Sequence, residues 1–129
     1  MAEYNYITAD DITDNLTVGS DMSSYISDAN DAIEHLAKEK QVDIEKIKTD
    51  PIDYKLKKYG IYYAIMLFLL DKAGTNNNDF PADIEKYKVK YEIYKRLIKE
   101  IYDDITWQMI AGDADNRSDY AGVKRMYIG

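Results

Sequence analysis

Residues 84–110 read IEKYKVKYEIYKRLIKEIYDDITWQMI, and this stretch decides the fold because its apolar side chains recur at steps of three and four. Such spacing places them on one stripe of an α-helix. With a start near Pro81, the pattern predicts a single helix of about 30 residues and about 45 Å. A compact domain of this chain length is only about 36 Å across, so we expect the helix to extend beyond its own core. The stripe consists of Ile84, Tyr87, Tyr91, Tyr94, Ile98, Ile101, Tyr102 and Ile105.

The long helix is expected to end at Gly112, because glycine commonly takes the left-handed conformation that terminates a helix. Residues 113–129 follow, and they are apolar without a helical period. A solvated terminus has little reason to keep such side chains, whereas Tyr, Met and Arg are enriched at protein interfaces. We therefore divide the chain into a helical bundle over residues 1–111 and an extended nonhelical docking tail over residues 112–129. The predicted partner-binding residues are Tyr120, Val123, Lys124, Arg125, Met126, Tyr127 and Ile128.

Two helices and a short helical turn are predicted in the N-terminal part of the bundle. Thr8, with Asp11 three residues later, forms a capping-box pattern that predicts a small helix over residues 9–16. An acidic second helix begins at a cap, Ser20 or Asp21, and runs to about residue 40, before a helical turn within residues 41–49. The expected buried stripe of the second helix is Ile26, Ala29, Ile33, Leu36 and Ala37.

The central helix is predicted over residues 51–73, between a proline start at Pro51 and a C-terminal glycine at Gly74. Beyond Tyr59 it is apolar nearly all round, which is typical of a helix in the middle of a bundle. Its apolar run is about half the length needed to cross a bilayer, so we expect no membrane span. The predicted fold class is all-α, a small bundle of about four helices. The expected buried positions of the central helix are Ile52, Leu56, Tyr59, Tyr63, Met66, Leu67 and Leu70.

Composition narrows the possible functions. The chain has no cysteine, which excludes disulfides, thiolate metal sites and cysteine nucleophiles. The start lacks a secretory signal pattern, so we expect synthesis in the cytoplasm. The net charge is -7, and residues 1–50 hold 12 acidic against 4 basic side chains. Because neutralisation of phosphates supplies most nonspecific affinity for nucleic acid, this balance is unfavourable for DNA binding.

No catalytic site is predicted. The only histidine, His35, has Asp31 and Glu39 at i-4 and i+4, which makes this trio the best candidate for a metal site. Helix-spaced acids and histidine on a surface face are nevertheless common, and no second ligand cluster accompanies them. No phosphate-binding, dinucleotide-binding or zinc-protease motif is present. We therefore expect a protein without enzymatic activity and without a cofactor.

The 13 tyrosines allow two interpretations, which differ in whether their rings are buried in the bundle or in an interface. A bundle core can hold them with the hydroxyls at its edge. Alternatively, aromatic surface beyond what four helices can cover would lie at protein contacts, and each interpretation can hold for different tyrosines. The lysines between the tyrosines of the long helix are interpreted as its solvated flank in preference to a nucleic-acid site.

The order of these segments resembles the head-tail connector proteins of tailed bacteriophages and prophages, also called adaptor or head-completion proteins. The resemblance covers nearly the whole chain. It is carried by YITADDI at residues 6–12, the acidic second helix, the central aromatic and apolar helix at residues 59–70, the long helix and the terminal GVKRMYIG at residues 122–129.

The resemblance implies a structural virion protein at the head-tail junction. Such proteins form a ring, commonly of twelve subunits, beneath the portal protein and offer a docking surface to the next ring of the neck or tail. Residues 120–128 would reach a partner, the long helix would lie beside the next subunit, and DNA would pass an acidic channel face without specific binding. The alternative is a small soluble helical adaptor or regulatory protein that binds one protein partner through its C-terminal tail.

Overall fold

The computed structural model describes residues 5–14, 17, 19–49, 51–74 and 81–112. These residues form four α-helices, α1 (Ser23–Glu39), α2 (Tyr54–Gly74), α3 (Pro81–Asp104) and α4 (Trp107–Ala111), with short 3-10 turns at Ala9–Asp11 and Ile44–Lys46. Within the same ranges, β-structure is confined to one isolated bridge between Thr49 and Ile52. The predicted all-α bundle of about four helices is confirmed. None of the described helices is long and apolar enough to cross a membrane.

Helix α2 lies between α1 and α3. Gly60 of α2 approaches α1 so closely that an added Cβ would lie 2.5 Å from Ile33 Cδ1. Two residues later, the Tyr62 ring meets the Tyr94 ring of α3, with 5.5 Å between centroids. Positions two residues apart are about 200° apart around a helix. Helices α1 and α3 therefore pack on opposite sides of α2, and they make few direct contacts with each other.

The buried face of α2 differs from the predicted one. Leu56 and Tyr59 are buried as expected, but Met66 and Leu67 are only half-buried and Leu70 is 47% exposed. A helix that is apolar nearly all round does not specify its own rotation, so packing against both neighbours decides which side chains are covered. The core positions beyond Tyr59 are instead Ala64, Ile65, Phe68 and Leu69.

Helix α2 also begins and ends differently from the prediction. It begins at Tyr54, and the Asp53 side chain accepts a hydrogen bond of 2.9 Å from the backbone N–H of Lys55. The helix therefore starts three residues after the expected Pro51, and the Asp53 carboxylate satisfies an amide of its first turn. Gly74 is the last residue of the helix, whereas the prediction placed it just after the helix end.

The prediction of one continuous helix up to residue 110 is wrong, because the helix is interrupted after Asp104. Ile105 is 1% exposed, and Thr106 has extended backbone angles of φ -104° and ψ 162°. The Thr106 hydroxyl accepts a hydrogen bond from the Met109 N–H and so caps α4. With 24 residues, α3 is about 36 Å long, the same as the expected diameter of the domain, so the helix length no longer predicts an overhang. Gly112 ends α4 with φ 77°, as predicted.

The predicted helix over residues 9–16 is also wrong, since the described residues contain only a 3-10 turn at Ala9–Asp11. The start signal is correct, because Thr8 N–H donates a hydrogen bond of 2.8 Å to Asp11 Oδ2. The turn does not continue, and Ile12 already has an extended backbone. The Asp14 side chain instead binds α3, and isolated helices this short are marginal in water.

Helix α1 agrees with its prediction more closely. Asp21 Oδ1 accepts a hydrogen bond of 3.0 Å from the Ser23 N–H at its start. Ile26 is half-buried. The predicted turn after α1 is confirmed as the 3-10 turn at Ile44–Lys46. The remaining predicted stripe residues, Ala29, Ile33, Leu36 and Ala37, are buried.

Candidate interaction surfaces

The predicted partner-binding residues lie outside the described part of the chain. The described part ends at Gly112, whose position is fixed by neighbouring contacts. The Lys48 N–H donates a hydrogen bond of 2.8 Å to the Ile110 carbonyl, so α4 is attached to the connection between α1 and α2. The residues whose structure is therefore not described are Tyr120, Val123, Lys124, Arg125, Met126, Tyr127 and Ile128.

One side of the bundle is covered by the N-terminal segment, residues 5–14. Ile7 N–H donates a hydrogen bond of 3.0 Å to Asn30 Oδ1, and Asn30 Nδ2 donates one of 3.4 Å to the Ile7 carbonyl. Asn30 is 1% exposed, so a buried amide on α1 satisfies the backbone of an extended residue. The Tyr6 hydroxyl adds a bond of 2.8 Å to the Glu34 carboxylate.

The same segment is bound to α2 and α3 by two carboxylates. Asp11 lies 3.2 Å from Lys57 Nζ of α2. Burial raises the pKa of Asp11, but hydrogen bonds from Thr8 and Lys57 outweigh it, and the pKa is lowered. Asp14 accepts bonds of 3.0 Å from Lys90 Nζ and 2.6 Å from the Tyr94 hydroxyl, both on α3. The N-terminal segment thus connects all three long helices on one side.

A shallow groove of about 360 Å³ lies between α1 and α2, and we call it the α1–α2 groove. Its floor is aromatic and aliphatic, and its α1 rim is acidic. Tyr63, Leu67 and Leu70 share one face of α2 at steps of three and four, so the exposed Leu70 extends the apolar floor by one turn. The groove is lined by Asp28, Asp31, Ala32, His35, Tyr59, Tyr63 and Leu67.

The metal candidate of the sequence analysis lies on the rim of this groove. His35 Nε2 is 3.8 Å from Glu39 Oε1, and the His35 side chain is 74% exposed. Across the described residues, no three His, Asp or Glu side chains are arranged to hold a metal ion. The arrangement of His35 and Glu39 is that of a solvated pair on one helix side.

A second surface is found on the outer side of α3, and we call it the α3 patch: Val89, Ile93, Lys86 and Arg96. Val89 is 52% exposed and Ile93 39% exposed, one helical turn apart. Lys86 precedes Val89 by three residues and Arg96 follows Ile93 by three, so two cations bracket the apolar pair. Both cations are exposed.

A second groove, of about 220 Å³, lies between α2 and α3. Tyr54 at its edge is 70% exposed. Lys58 Nζ lies 5.0 Å from the Tyr54 ring centroid and 5.8 Å from that of Tyr62. Contacts with these two hydroxyls raise the pKa of Lys58 and favour its charged form. The groove is lined by Tyr54, Lys55, Lys58, Tyr62, Leu97, Glu100, Ile101 and Asp104.

Some tyrosines are buried in the bundle and others are exposed at its surface, so each of the two interpretations holds for part of them. Tyr6 and Tyr59 are buried, and burial of Tyr59 raises the pKa of its hydroxyl. Tyr91 and Tyr94 are half-buried along α3, whereas Tyr54 presents most of its surface to solvent. Packing in the core therefore accounts for the buried tyrosines, whereas the exposed Tyr54 fits the interpretation of a contact at the surface.

Charge is divided between the two flanks of the bundle. Helix α1 carries four acidic side chains and one lysine, whereas α3 as a whole carries six basic and six acidic side chains. All six basic ones, and only one acidic one, lie within residues 86–99. Because α1 and α3 pack on opposite sides of α2, one flank of the molecule is acidic, and the other has a basic stretch along the middle of α3. The acidic flank contains the α1–α2 groove, and the basic stretch contains the α3 patch.

No protein-family model, no curated protein and no solved structure matches this chain. The α1–α2 groove and the α3 patch are therefore the features that bear on function. Neither surface was predicted from the sequence. Val89 and Ile93 were detectable as an i, i+4 pair off the predicted stripe, but the α1–α2 groove was not, because it depends on the rotation of α2.

Proposed function

We propose that this chain is a noncatalytic subunit of the head-tail connector of a tailed phage or prophage. In this proposal, copies of the chain form a ring at the head-tail junction of the virion, and the ring docks on the portal protein and on the next protein of the neck or tail. The observation that carries the proposal is that the acidic helix α1 and the basic stretch of α3 lie on opposite sides of α2. A surface that binds a different surface on an identical copy makes head-to-tail contacts, and such contacts generate rings when the rotation closes.

The tail supplies the contact with other proteins in this proposal. Residues 120–128 hold apolar side chains together with Lys124 and Arg125, a combination suited to an apolar groove with acidic edges. The chain enters this segment from Gly112, which is fixed beside Lys48. A displacement of the tail on docking would therefore reach the bundle through α4.

The acidic N-terminal half would serve the passage of DNA. Like charge repels the phosphate backbone, so an acidic channel face keeps DNA mobile. The candidates for this face are exposed acidic side chains of that half outside the α1–α2 groove, such as Asp10, Asp21 and Glu45.

Binding to the portal protein encoded in the same genome tests the proposal. The two proteins are co-expressed, purified together and imaged by electron microscopy, and a ring of this chain on the portal is the expected result. Failure to bind the portal and to enter particles would contradict the proposal. Binding of a single copy to one soluble protein through the tail would instead support the adaptor alternative.

A truncated variant ending at Gly112 is the control for the role of the tail. We expect it to lose portal binding and to keep the melting temperature of the full chain. A large fall in melting temperature would show that the tail packs on its own bundle and is not the docking segment.

A further inference from the structure

The α3 patch and the α1–α2 groove are complementary in both polarity and charge. The patch is an exposed apolar pair, Val89 and Ile93, between two cations. The groove has an apolar floor of tyrosine and leucine side chains below an acidic rim on α1. Both surfaces are therefore apolar at the centre and carry opposite charges at the edge, and both belong to the same chain.

We propose that the α3 patch of one copy binds the α1–α2 groove of a second copy. This inference rests on the proposed ring and identifies the two surfaces through which its subunits meet. The occupant of the groove is therefore a helix face of an identical chain.

The apolar parts of the two surfaces match in arrangement. Val89 and Ile93 are four residues apart, so their side chains lie one above the other on a helix. The groove runs between two helices and continues past Leu67 to the exposed Leu70. Two aliphatic side chains one helical turn apart fit a groove whose floor residues also recur at helical spacing. Binding of a helix face in an apolar groove is a common mode of recognition.

The charged parts are opposite in sign. Lys86 and Arg96 lie on either side of the apolar pair, about 15 Å apart along α3, and Asp28 and Asp31 occupy the α1 side of the groove one turn apart. Exposed ion pairs are individually weak and are screened by salt. We therefore expect self-association that is weak for two isolated copies and that decreases with ionic strength.

The placement of the surfaces determines the type of assembly. Since α1 and α3 pack on opposite sides of α2, a copy that uses its α3 patch for one neighbour keeps its α1–α2 groove free for another. The contact is then heterologous, and it adds copies until a ring closes or a filament grows. A symmetric dimer, with one patch facing itself, is not expected.

Disulfide trapping tests the proposed contact directly, because the natural chain has no cysteine. Ile93→Cys and His35→Cys are introduced into separate full-length chains, which are purified, mixed at low salt and oxidised. We expect a cross-linked dimer from the mixture and little from either variant alone. The matched control is Lys99→Cys mixed with His35→Cys, since position 99 is exposed on α3 but about 120° around the helix from position 93.

Charge reversal provides a second measurement. Lys86→Glu with Arg96→Glu in one chain, and Asp28→Lys in another, are each expected to weaken self-association at least tenfold in sedimentation equilibrium. All three substitutions in one chain are expected to restore it. Lys88→Glu with Lys99→Glu, on the other flank of α3, changes the net charge equally and is expected to leave self-association close to that of the natural chain.

The outcomes separate this inference from the proposed function. Absence of the mixed cross-link, equal cross-linking by the control, or dimers of Ile93→Cys alone would overturn the contact. A portal-bound ring that is unaffected by charge reversal would overturn it while leaving the connector proposal intact. The mixed cross-link in a protein that does not bind the portal would support the contact and overturn the connector proposal.

Discussion

Asp14 and Tyr94, 80 residues apart in sequence, are joined by a 2.6 Å hydrogen bond that the tyrosine hydroxyl donates to the carboxylate. The Asp14 side chain is only 5% exposed and also accepts a bond from Lys90. This contact attaches the N-terminal segment to α3, the helix on the opposite side of α2 from α1. It shows why the segment extends across the bundle and does not form the predicted short helix.

Substitution of Asp14 tests the energetic role of this contact. Asp14→Ala leaves the Tyr94 hydroxyl and the partly buried Lys90 amine without their acceptor, so we expect a loss of about 2 kcal/mol in the free energy of unfolding. Urea denaturation measures this change. In a double-mutant cycle with Tyr94→Phe we expect a coupling of about 1 kcal/mol.

Lys55→Ala is the matched control, because Lys55 pairs with Asp104 at 3.8 Å with both side chains well exposed. Its expected effect is within about 0.5 kcal/mol. An Asp14→Ala variant no less stable than Lys55→Ala would show that the N-terminal segment contributes little to the bundle.

Gly60 sets the distance between α1 and α2. A Cβ at this position would lie 2.5 Å from Ile33 Cδ1 and 3.2 Å from Ile7 Cγ2, and both side chains are fully buried. Overpacking of this kind typically costs about 1–3 kcal/mol, which exceeds the gain of about 1 kcal/mol from replacing glycine in a helix. We therefore expect Gly60→Ala to lower the free energy of unfolding by about 1 kcal/mol, measured by thermal or urea denaturation.

A second substitution makes this prediction specific. Ile33→Val removes the Cδ1 atom that the new methyl group would meet, so the double variant should be more stable than the sum of the single effects implies. Strict additivity of Gly60→Ala and Ile33→Val would contradict the proposed steric cause.

Gly112 and Gly19 both have left-handed backbone angles, with φ 77° and φ 79°, but they differ in their surroundings. A Cβ at Gly112 would meet Lys48 Cδ at 2.6 Å, whereas a Cβ at Gly19 would meet no atom within 4 Å. Each substitution by alanine is expected to cost about 1–2 kcal/mol from backbone strain alone.

The comparison separates strain from contact. Lys48 is exposed and its side chain can move, so we expect Gly112→Ala to exceed Gly19→Ala by less than about 1 kcal/mol in urea denaturation. A much larger difference would indicate that the Lys48 side chain is held in place at the end of α4.

Alkaline pH is expected to destabilise the bundle. The hydrogen bond to Asp71, aided by burial, raises the pKa of Tyr25 from 10.0 to about 12, and burial raises the pKa of Tyr59 and Tyr94 as well. Since the folded state favours the neutral hydroxyl, this contribution is complete below pH 10 and is lost as the pH rises through about 12. Urea denaturation across this interval measures the loss.

Tyr25→Phe isolates one contribution to this pH dependence. The substitution keeps the ring that packs edge-on against Phe68, with 5.8 Å between centroids, and removes only the hydroxyl. We expect a smaller fall in the free energy of unfolding between pH 10 and pH 12 than in the natural chain. Equal falls in the two proteins would mean that Tyr25 does not contribute.

The sequence predicted those parts of the fold that depend on local chemistry. Four of the five stripe residues of α1 are buried, and Gly112 ends α4 as expected, because a helical period and a left-handed glycine are local signals. The break at Ile105 and Thr106 was missed because both residues continue an acceptable helical pattern. The structure ends α3 at Asp104 and begins a new helix capped by Thr106, and the sequence pattern does not report this break.

The candidate surfaces could be predicted only in part, for the same reason. The acidic character of α1 and the basic residues of α3 are visible in the sequence. Their separation onto opposite flanks depends on Gly60 and Tyr62 facing different neighbours across α2. The apolar floor at Tyr63 and Leu67 depends on which side of an almost uniformly apolar helix is covered, and composition does not decide that.

The hydrogen bond between Lys48 and Ile110 determines how a mechanical force would enter the molecule. A pull on the chain beyond Gly112 reaches α4 first, and this bond passes the load to the connection between α1 and α2. Tension is thus shared by α1 and α2 before the extended residue Thr106, between α3 and α4, has to resist it. A tethered copy would resist pulling at its C-terminal end through its core, with α3 under less load.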